Sequence, residues 1–348
     1  MMAVVRGHDR QSRRRILTAL IFAFASVFPA LSVPHGNFSL SVEPLFGMRC
    51  GQVDEYVFLK KSNFSDDKLS ELNWEIKPEL YYGLKVRGGW RGFFEESYLS
   101  AGIPVRTGRM MDSDWLNIEI PDSDGGNTVR TNYSESDNHL DYDISFGFKG
   151  GYEFQIREIF RIKPAIAFEY NNIKFTAKGG TAWYGKPSSD TKKAPYYPCV
   201  PHGDSDEQNI IDFHGADVIS YNRVSDCFWI GSDFSFELPH SFTIDTGFFT
   251  ALYAYAISYD SHLLTGNDYA DLTTGFFAAF KWNLGMTYAF NERHSVSLGA
   301  SYFYMRVLRG DDYDKKSSEK IYNKSTYADG GAGAKYFDIT LSYRFKIF

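Results

Sequence analysis

The chain ends on a segment in which apolar and polar residues alternate without a break, Phe337-Asp338-Ile339-Thr340-Leu341-Ser342-Tyr343-Arg344-Phe345. Successive side chains of a β-strand point to opposite faces, so this segment predicts a strand with one apolar face and one polar face. A last strand of this kind, ending in an aromatic residue, is typical of a membrane-spanning β-barrel whose outer face meets lipid. A short tail, residues 346–348, follows the strand.

The same alternation recurs upstream, for example over residues 276–290 and 295–304, which a short turn at 291–294 connects. Short turns alternate with long polar connections, and the long ones lie near residues 60–70, 116–137, 185–212, 263–270 and 310–329. Five long connections imply about ten antiparallel strands, an even number as bacterial barrels require. Several segments are about twice the 9–11 residues needed to cross a bilayer. We therefore predict an all-β chain, a ten-stranded antiparallel transmembrane β-barrel that extends beyond the outer membrane.

The first residues have the pattern of an export signal. Five arginines precede an apolar run at residues 16–27, and small residues at Ala30 and Ser32 provide a cleavage site. The run is too short for a comfortable transmembrane helix. We predict a signal peptide at residues 1–32 and a single barrel domain at residues 33–348.

The mature chain is acidic. Without residues 1–32 it has 32 basic and 42 acidic residues, a net charge of −10. This charge argues against a nucleic-acid partner and is compatible with cationic substrates. The cysteines, Cys50, Cys199 and Cys227, lack metal-ligand spacing; one pair could be oxidised in the periplasm, or all three could be free.

Two short motifs carry acid–base side chains at the ends of long alternating segments. They are Met111-Asp112-Ser113-Asp114-Trp115 and Asp260-Ser261-His262. Residues i and i+2 of a strand share a face, so each motif presents its two ionisable groups on one side. If the two strands face one another across a barrel, three carboxylates and one imidazole meet, a set that can activate a water molecule.

The strand that carries the second motif contains a conflict of faces. Phe242 and Phe248 place its apolar face at even positions, whereas from Tyr253 onward the bulky residues are at odd positions. Strict continuation of the first pattern would direct Asp260 and His262 toward lipid. One extra residue reverses the faces, so we predict a β-bulge between Phe248 and Tyr253.

Taken together, these residues resemble the omptins, outer-membrane endopeptidases with ten-stranded barrels, and the resemblance covers nearly the whole mature chain. Residues 111–115 resemble the family's paired-aspartate motif, and residues 260–262 resemble its Asp-x-His motif. Phe175-Thr176-Ala177-Lys178-Gly179-Gly180, followed by Trp183 and Tyr184, is similar to a stretch of the fifth strand. Asp54-Glu55-Tyr56-Val57-Phe58 resembles the first-strand segment whose glutamate lines a pocket for a basic substrate residue.

The resemblance implies a catalytic set of Asp112, Asp114, Asp260 and His262. His262 would deprotonate a water molecule held between it and Asp112, Asp260 would orient the imidazole, and Asp114 would tune Asp112. The water would attack a peptide carbonyl without a covalent intermediate. The expected partners are protein or peptide substrates, with cationic ones as candidates, and outer-membrane lipid. We expect no metal and no cofactor, with lipopolysaccharide as a candidate activator and the active site facing the extracellular side.

Two departures from the family pattern concern specificity and lipid. The family usually has a second acidic residue two positions before the Asp-x-His motif, and here that position is Ser258. Glu55 and Ser258 are therefore the candidate substrate-binding residues, and a preference for basic residues stays open. The family also carries outer arginines that hold lipopolysaccharide phosphates; Asn172 falls near one such position and Arg223 near the other.

Simpler interpretations of the same residues remain. The aspartates at 112 and 114 could be solvated at a barrel rim, and residues 260 and 262 could form only a structural hydrogen bond. Residues 178–180 favour a role in backbone geometry, and His202 and His214 favour solvated side chains over metal ligands. The alternative function is a non-proteolytic barrel that acts as an adhesin or binding protein. A porin is weaker, because a ten-stranded barrel fills largely with side chains.

Overall fold

The computed structural model describes residues 38–60, 67–117, 129–189 and 195–348; the predicted signal peptide lies outside these ranges. No helix long and apolar enough to cross a membrane occurs in the described residues. The strands are β1 (Phe38–Leu59), β2 (Lys68–Trp90), β3 (Phe93–Gly102), β4 (Arg106–Asp114), β5 (Asn132–Tyr152), β6 (Phe154–Arg157), β7 (Phe160–Gly185), β8 (Gln208–Asp212), β9 (Asp217–Leu238), β10 (Phe242–His262), β11 (Asn267–Gly275), β12 (Ala279–Ala289), β13 (His294–Lys316) and β14 (Asn323–Lys346).

These strands form one antiparallel sheet that closes on itself, because β14 pairs with β1. Counted as separate segments within the described ranges, they number fourteen, which differs from the ten that the sequence predicts. The difference comes from short interruptions. β3 and β4 share the partners β2 and β5, β11 and β12 share β10 and β13, and both β5–β6 and β8–β9 pair along β7. The segments therefore run around the barrel as ten long, partly interrupted strands.

Two of the predicted long connections are shorter in the structure than the sequence predicts. Residues 267–275 form β11, and β13 and β14 continue to Lys316 and from Asn323, so only residues 263–266 and 317–322 connect the strands there. Beyond the membrane the outer face of a strand meets water, so its residues are polar as well. The alternation that marks a strand in the sequence then disappears although the strand continues.

The last strand has the faces that its sequence predicts. Phe337, Leu341 and Tyr343 are exposed on the outside, whereas Asp338 and Ser342 are buried inside the barrel. Exposed apolar side chains form a band around the barrel, and on β1 and β10 this band includes Phe46, Met48, Phe248 and Leu252. The two acidic motifs and Glu55 lie several residues further along their strands than this band. That end of the barrel therefore lies beyond the membrane-spanning part.

The predicted bulge in β10 is confirmed. Ala251 pairs with Trp229 and Tyr253 pairs with Phe228, so Leu252 is an extra residue without a partner position on β9. Because Leu252 shifts the alternation by one, Ala254, Ala256 and Asp260 become buried inside the barrel.

Deletion of Leu252 is expected to destabilise the barrel by about 4 kcal/mol or more, since one half of β10 must then present its wrong face. Urea unfolding of the refolded barrel, followed by its heat-modifiable gel mobility, measures the effect. Deletion of the exposed loop residue Ser189 is the matched control, with little expected change. Equal stability of the two deletions would contradict the role assigned to the bulge.

The barrel interior beneath the acidic motifs is filled by apolar side chains. Trp74 of β2 stacks on Phe175 of β7 and Tyr221 of β9, with ring centroids 5.7 and 5.2 Å apart. Strands β2 and β9 are not neighbours in the sheet, so the stack with Tyr221 crosses the interior. The surrounding cluster includes Val53, Leu72, Ile76, Met110, Leu140, Ile173 and Ile219. These apolar side chains form a layer that we call the floor of the site, and the polar groups of the acidic motifs lie above it.

Candidate active site

The Asp-x-His motif forms an ion pair inside the barrel. His262 Nε2 lies 2.8 Å from Asp260 Oδ2, and the Asp260 side chain is only 3% exposed. Both residues face inward because the Leu252 bulge sets the parity of β10 beyond it. The ring of Tyr269, on the adjacent β11, meets the imidazole edge-on with centroids 5.2 Å apart. Since the Nε2 nitrogen of His262 is paired with Asp260, the second imidazole nitrogen, Nδ1, lies on the edge of the ring away from this ion pair.

The paired-aspartate motif reaches the same space from another wall. Asp112 and Asp114 lie on β4, which pairs with β2 and β5, whereas β10 pairs with β9, β11 and β12. Asn132 donates a hydrogen bond of 3.1 Å to Asp114 Oδ2. Both carboxylates lie close enough to His262 to stabilise its charge. The structure thus brings together the four residues that the sequence predicts as catalytic.

The environment of these groups shifts their titration strongly. Burial lowers the pKa of His262, but Asp260, Asp112 and Asp114 together outweigh burial and raise the pKa to about 9. Burial and the neighbouring Asp114 raise the pKa of Asp112 well above its usual range, although His262 opposes them. Asp112 Oδ1 is buried and has no hydrogen-bond partner among the described residues. The pair formed by Asp112 and His262 therefore holds a proton near neutral pH, with one carboxylate oxygen still able to accept a hydrogen bond.

His262 is expected to titrate near pH 9, and Asp260→Asn is expected to lower its pKa, because the strongest charge that raises it is lost while burial remains. NMR titration of histidine-labelled barrel measures both values, with the signal assigned from its loss in a His262→Asn variant. The exposed His214 is the internal reference. An unchanged pKa in Asp260→Asn would contradict the electrostatic role of Asp260.

The two candidate substrate-binding residues lie just below this set. Glu55 of β1 is only 3% exposed, and its Oε2 has no hydrogen-bond partner among the described residues. Burial raises the pKa of Glu55 well above its usual range, and Asp260, Asp271, Asp112 and Asp312 add to this effect. Ser258 is buried, and its Oγ lies 3.0 Å from the hydroxyl of Tyr221. Glu55 thus faces several carboxylates, while Ser258 is hydrogen-bonded to the barrel floor.

Two buried carboxylates beside Glu55 escaped the sequence analysis. Asp271 of β11 pairs in register with Ser258 of β10 on one side and with Asp312 of β13 on the other. Asp312 falls within a segment predicted to be a loop, and Asp271 directly follows another. The alternation of Tyr269, Asp271 and Thr273 was the available signal, but a strand of this polarity differs little from a solvated loop in sequence.

Arg223 does not lie where the comparison with lipid-binding arginines placed it. Its side chain is inside the barrel, 3% exposed, and its Nη1 donates a hydrogen bond of 2.7 Å to the backbone oxygen of Gly333. Arg223 shares the inward parity of Ser258, opposite which it pairs, and so cannot reach lipid phosphates. Asn172 instead accepts a hydrogen bond of 2.8 Å from Asn222.

The stretch at residues 178–180 serves backbone geometry. Gly179 and Gly180 have φ values of +58° and +94°, and a Cβ on Gly180 would approach the backbone oxygen of Glu135 to 1.9 Å. Any larger residue there would separate β7 from β5, so this stretch sets the position of the wall next to the aspartates.

The two histidines predicted to be solvated, His202 and His214, lie outside the catalytic set. His214 is 85% exposed, whereas His202 packs on Trp183 with centroids 4.8 Å apart and lies 3.7 Å from Glu135. These contacts hold the connection between β7 and β8 against the outer wall. Cys50, Cys199 and Cys227 are all free thiols, so the alternative of an oxidised pair is wrong for this structure.

A closed antiparallel barrel with an outer apolar band has the architecture of an outer-membrane β-barrel protein. The omptin family model matches residues 36–347. The chain therefore belongs to the omptin family, and it is an outer-membrane protease.

The fold is similar to that of a solved structure. The outer-membrane protease OmpT of Escherichia coli is similar, with a TM-score of 0.72, 15% sequence identity, and coverage of 89% of this chain and 97% of that chain. The outer-membrane protein OprG of Pseudomonas aeruginosa gives a TM-score of 0.32 at 7% identity, covering 90% of this chain and 97% of its own. This second likeness is too weak to bear on function. No curated protein sequence matches the chain.

Proposed function

We propose that this protein is an aspartic-type endopeptidase that hydrolyses peptide bonds at the cell surface, with a water molecule activated between Asp112 and His262. One observation carries the proposal: the His262–Asp260 ion pair on β10 and Asp112, on the non-adjacent strand β4, lie close enough for their charges to interact. A structural hydrogen bond alone would not require a second carboxylate from another wall. Convergence of an oriented imidazole and a carboxylate is what general-base activation of water requires.

The proton route follows from the geometry of the ion pair. In the neutral imidazole, which is the minor form below the pKa of about 9, Nε2 donates its hydrogen to Asp260 and Nδ1 can accept a proton from water. Asp260 then stabilises the imidazolium that forms. The unpartnered Oδ1 of Asp112 accepts the second hydrogen bond and so aims the water oxygen. That oxygen bonds to the carbonyl carbon of the substrate, and the imidazolium returns the proton to the departing nitrogen as the C–N bond breaks. One water is consumed, and the products are a carboxylate and an amine.

Asp114 acts on this pair through charge. It lies two residues beyond Asp112 on the same face of β4, and its charge raises the pKa of Asp112. A proton is therefore retained within the pair at neutral pH rather than lost to solvent. This role makes Asp114 a tuning residue, whereas Asp112 and His262 touch the reacting water.

The acidic character of the cleft favours cationic substrates. Glu55 offers an unpartnered carboxylate oxygen close to Asp260, and a basic side chain next to the scissile bond would satisfy it. The catalytic end lies beyond the apolar band, so we assign it to the extracellular side. We retain lipopolysaccharide as a candidate activator that contacts the outer surface; the buried Arg223 takes no part in that contact.

A peptide-library assay on the refolded mature barrel tests the proposal, with and without lipopolysaccharide. We expect wild-type cleavage that persists with EDTA and with reagents directed at serine and cysteine nucleophiles. Cleavage in H₂¹⁸O should place one ¹⁸O in the new carboxyl group, and added hydroxylamine should trap no acyl-enzyme. If a folded barrel, verified by gel mobility, cleaves no peptide under either condition, the protease assignment fails for this chain and a binding function replaces it.

A further inference from the structure

The barrel wall is open along one side of β8. Strand β8 continues β9 along β7 and pairs with β7 alone. On the side away from β7, β10 ends at His262, which pairs with Ile219, and the next backbone bond joins Leu263 N to the oxygen of Val218. Beyond this bond β8 has no strand partner on that side within the described ranges. We call this unpaired side of residues 208–212 the free edge.

The register with β7 decides which backbone groups the free edge presents. Phe213 N donates a hydrogen bond of 3.0 Å to the backbone oxygen of Gly180. Hydrogen-bonded positions of an antiparallel pair alternate, so the odd-numbered residues of β8 bond β7 and the even-numbered ones turn their groups away. The N–H and C=O groups of Ile210 and Asp212 therefore point out from the free edge. They have no backbone partner in the part of the chain that the structure describes.

The free edge lies level with the catalytic aspartate. Asp112, Ser134, Ala182 and Ile211 form one row across β4, β5, β7 and β8. Neighbouring strands are roughly 4.8 Å apart, so the three steps of this row place β8 about 14 Å from Asp112 along the wall. The free edge is therefore a continuation of the wall that carries the candidate active site.

The catalytic histidine lies at a similar distance along the strands. His262 is in register with Ile219 of β9 and Ala177 of β7, whereas Asp212 is in register with Thr181 of β7. Ala177 and Thr181 are four residues apart, so roughly 13 Å of strand separates the two levels. An extended peptide spans this distance with four residues. A chain that lies on the free edge therefore reaches the imidazole.

Other contacts hold β8 in place and leave the free edge accessible. Gln208 Oε1 accepts a hydrogen bond of 2.8 Å from Val200 N, and Gln208 Nε2 donates one of 2.8 Å to the oxygen of Gly203. The strand carries neither the lysine nor the proline that commonly protects an edge, and Ile210 and Ile211 are 50% and 42% exposed. Because β8 is already fixed, pairing with another strand costs it little conformational entropy.

We propose that the free edge of β8 is a docking site for the substrate polypeptide, which adds to it as an extended antiparallel strand while its scissile bond lies in the cleft. This inference rests on the proposed protease function. β9 and β10 pair antiparallel, and a substrate in line with β10 beyond His262 would run in the direction of β10. Its residues after the scissile bond would then lie on β8.

The chemistry of this edge defines the class of substrate. A row of backbone donors and acceptors binds extended main chain of any sequence and does not bind a helix, whose backbone groups are already paired. The docking site therefore favours unfolded or disordered segments that continue for at least four residues after the cleaved bond. Selection of side chains is left to the cleft itself.

Peptides that carry a single backbone N-methyl group test the pairing. The methyl group removes one N–H donor, and alternate residues of a paired strand turn that donor toward the neighbouring strand. From the third residue after the scissile bond onward, methylation should lower wild-type kcat/KM by about two- to tenfold at every second position, the range for one hydrogen bond. Cleavage without this alternation overturns the docking site and leaves the protease function standing. Absence of all cleavage by folded wild type overturns both.

A proline variant tests the same contact from the protein side. Ile210→Pro removes a donor of the free edge, and since this N–H does not bond β7, the strand can keep its place. KM should rise about two- to tenfold for peptides with six residues after the scissile bond and stay unchanged for peptides with one. Ile210→Val retains the donor and is the matched control, with wild-type kinetics for both lengths. An equal effect on both lengths in a barrel verified by gel mobility, or no effect on either, overturns the docking site. If Ile210→Pro does not fold, the N-methyl series on wild type decides.

A second copy of the chain is the other strand that the free edge accommodates. Sedimentation of the wild-type barrel in detergent distinguishes this occupant from a substrate. Monomers at the concentrations used for cleavage support the substrate. A dimer that Ile210→Pro dissociates and Ile210→Val retains would show that the edge pairs with another barrel, and would overturn the inference.

Discussion

Replacing His262 by asparagine is expected to lower kcat/KM for peptide hydrolysis by about 10²–10⁴-fold, the range for loss of a general base. Asparagine cannot take the proton that Nδ1 accepts, although it can still reach Asp260. The loss should appear in kcat rather than in KM, because His262 acts on the transition state and the binding carboxylates stay in place. Initial-rate kinetics with a fluorogenic peptide measure both constants.

The control for this variant is His214→Asn, since His214 is 85% exposed and distant in the sequence from either motif. Its activity should match that of wild type. Asp112→Asn should lower kcat/KM to an extent similar to that of His262→Asn. The double variant should lose little further activity, because the two residues act on one water. A folded His262→Asn barrel that keeps a tenth or more of wild-type activity would exclude the proposed general base.

Trp74→Ala is expected to reduce the free energy of unfolding by about 3–5 kcal/mol, as for other large buried aromatic residues. Trp74 is 0% exposed and stacks on Phe175 and Tyr221. Its Nε1 has no hydrogen-bond partner among the described residues, so the loss comes from packing. Because Tyr221 contacts Ser258, cleavage should also weaken. Equilibrium unfolding in urea measures the stability change.

Two further variants serve as a partial rescue and as a control for this result. Trp74→Phe retains a stacked ring and should recover part of the loss. Ile321→Ala, at an exposed site between β13 and β14, should change stability by less than about 0.5 kcal/mol. A loss below about 1 kcal/mol in Trp74→Ala would mean that the floor of the site collapses around the missing ring, contrary to the packing described.

Within single strands, the sequence predicted the structure well. The alternation from Phe337 to Phe345 defined which residues face outward, and the change of parity predicted a bulge between Phe248 and Tyr253, which the structure has at Leu252. Both predictions rest on one local rule, that side chains alternate between the faces of a strand. The same rule directed Asp112, Asp114, Asp260 and His262 inward, so the composition of the catalytic candidates followed from the sequence and the family resemblance.

The tertiary structure decided what lies beside these residues. Alternation gives the face on which a residue lies but not which residues of the other strands lie beside it. Those neighbours depend on strand register, on bulges and on the closure of the whole barrel. Arg223 therefore proved to be an interior residue, and Asp271 and Asp312 became neighbours of Glu55 through pairings that no local pattern encodes. The sequence by itself determined a barrel with an inward Asp/His set. Only the closed barrel determined which carboxylates act on Glu55, because its pairings join residues far apart in the chain.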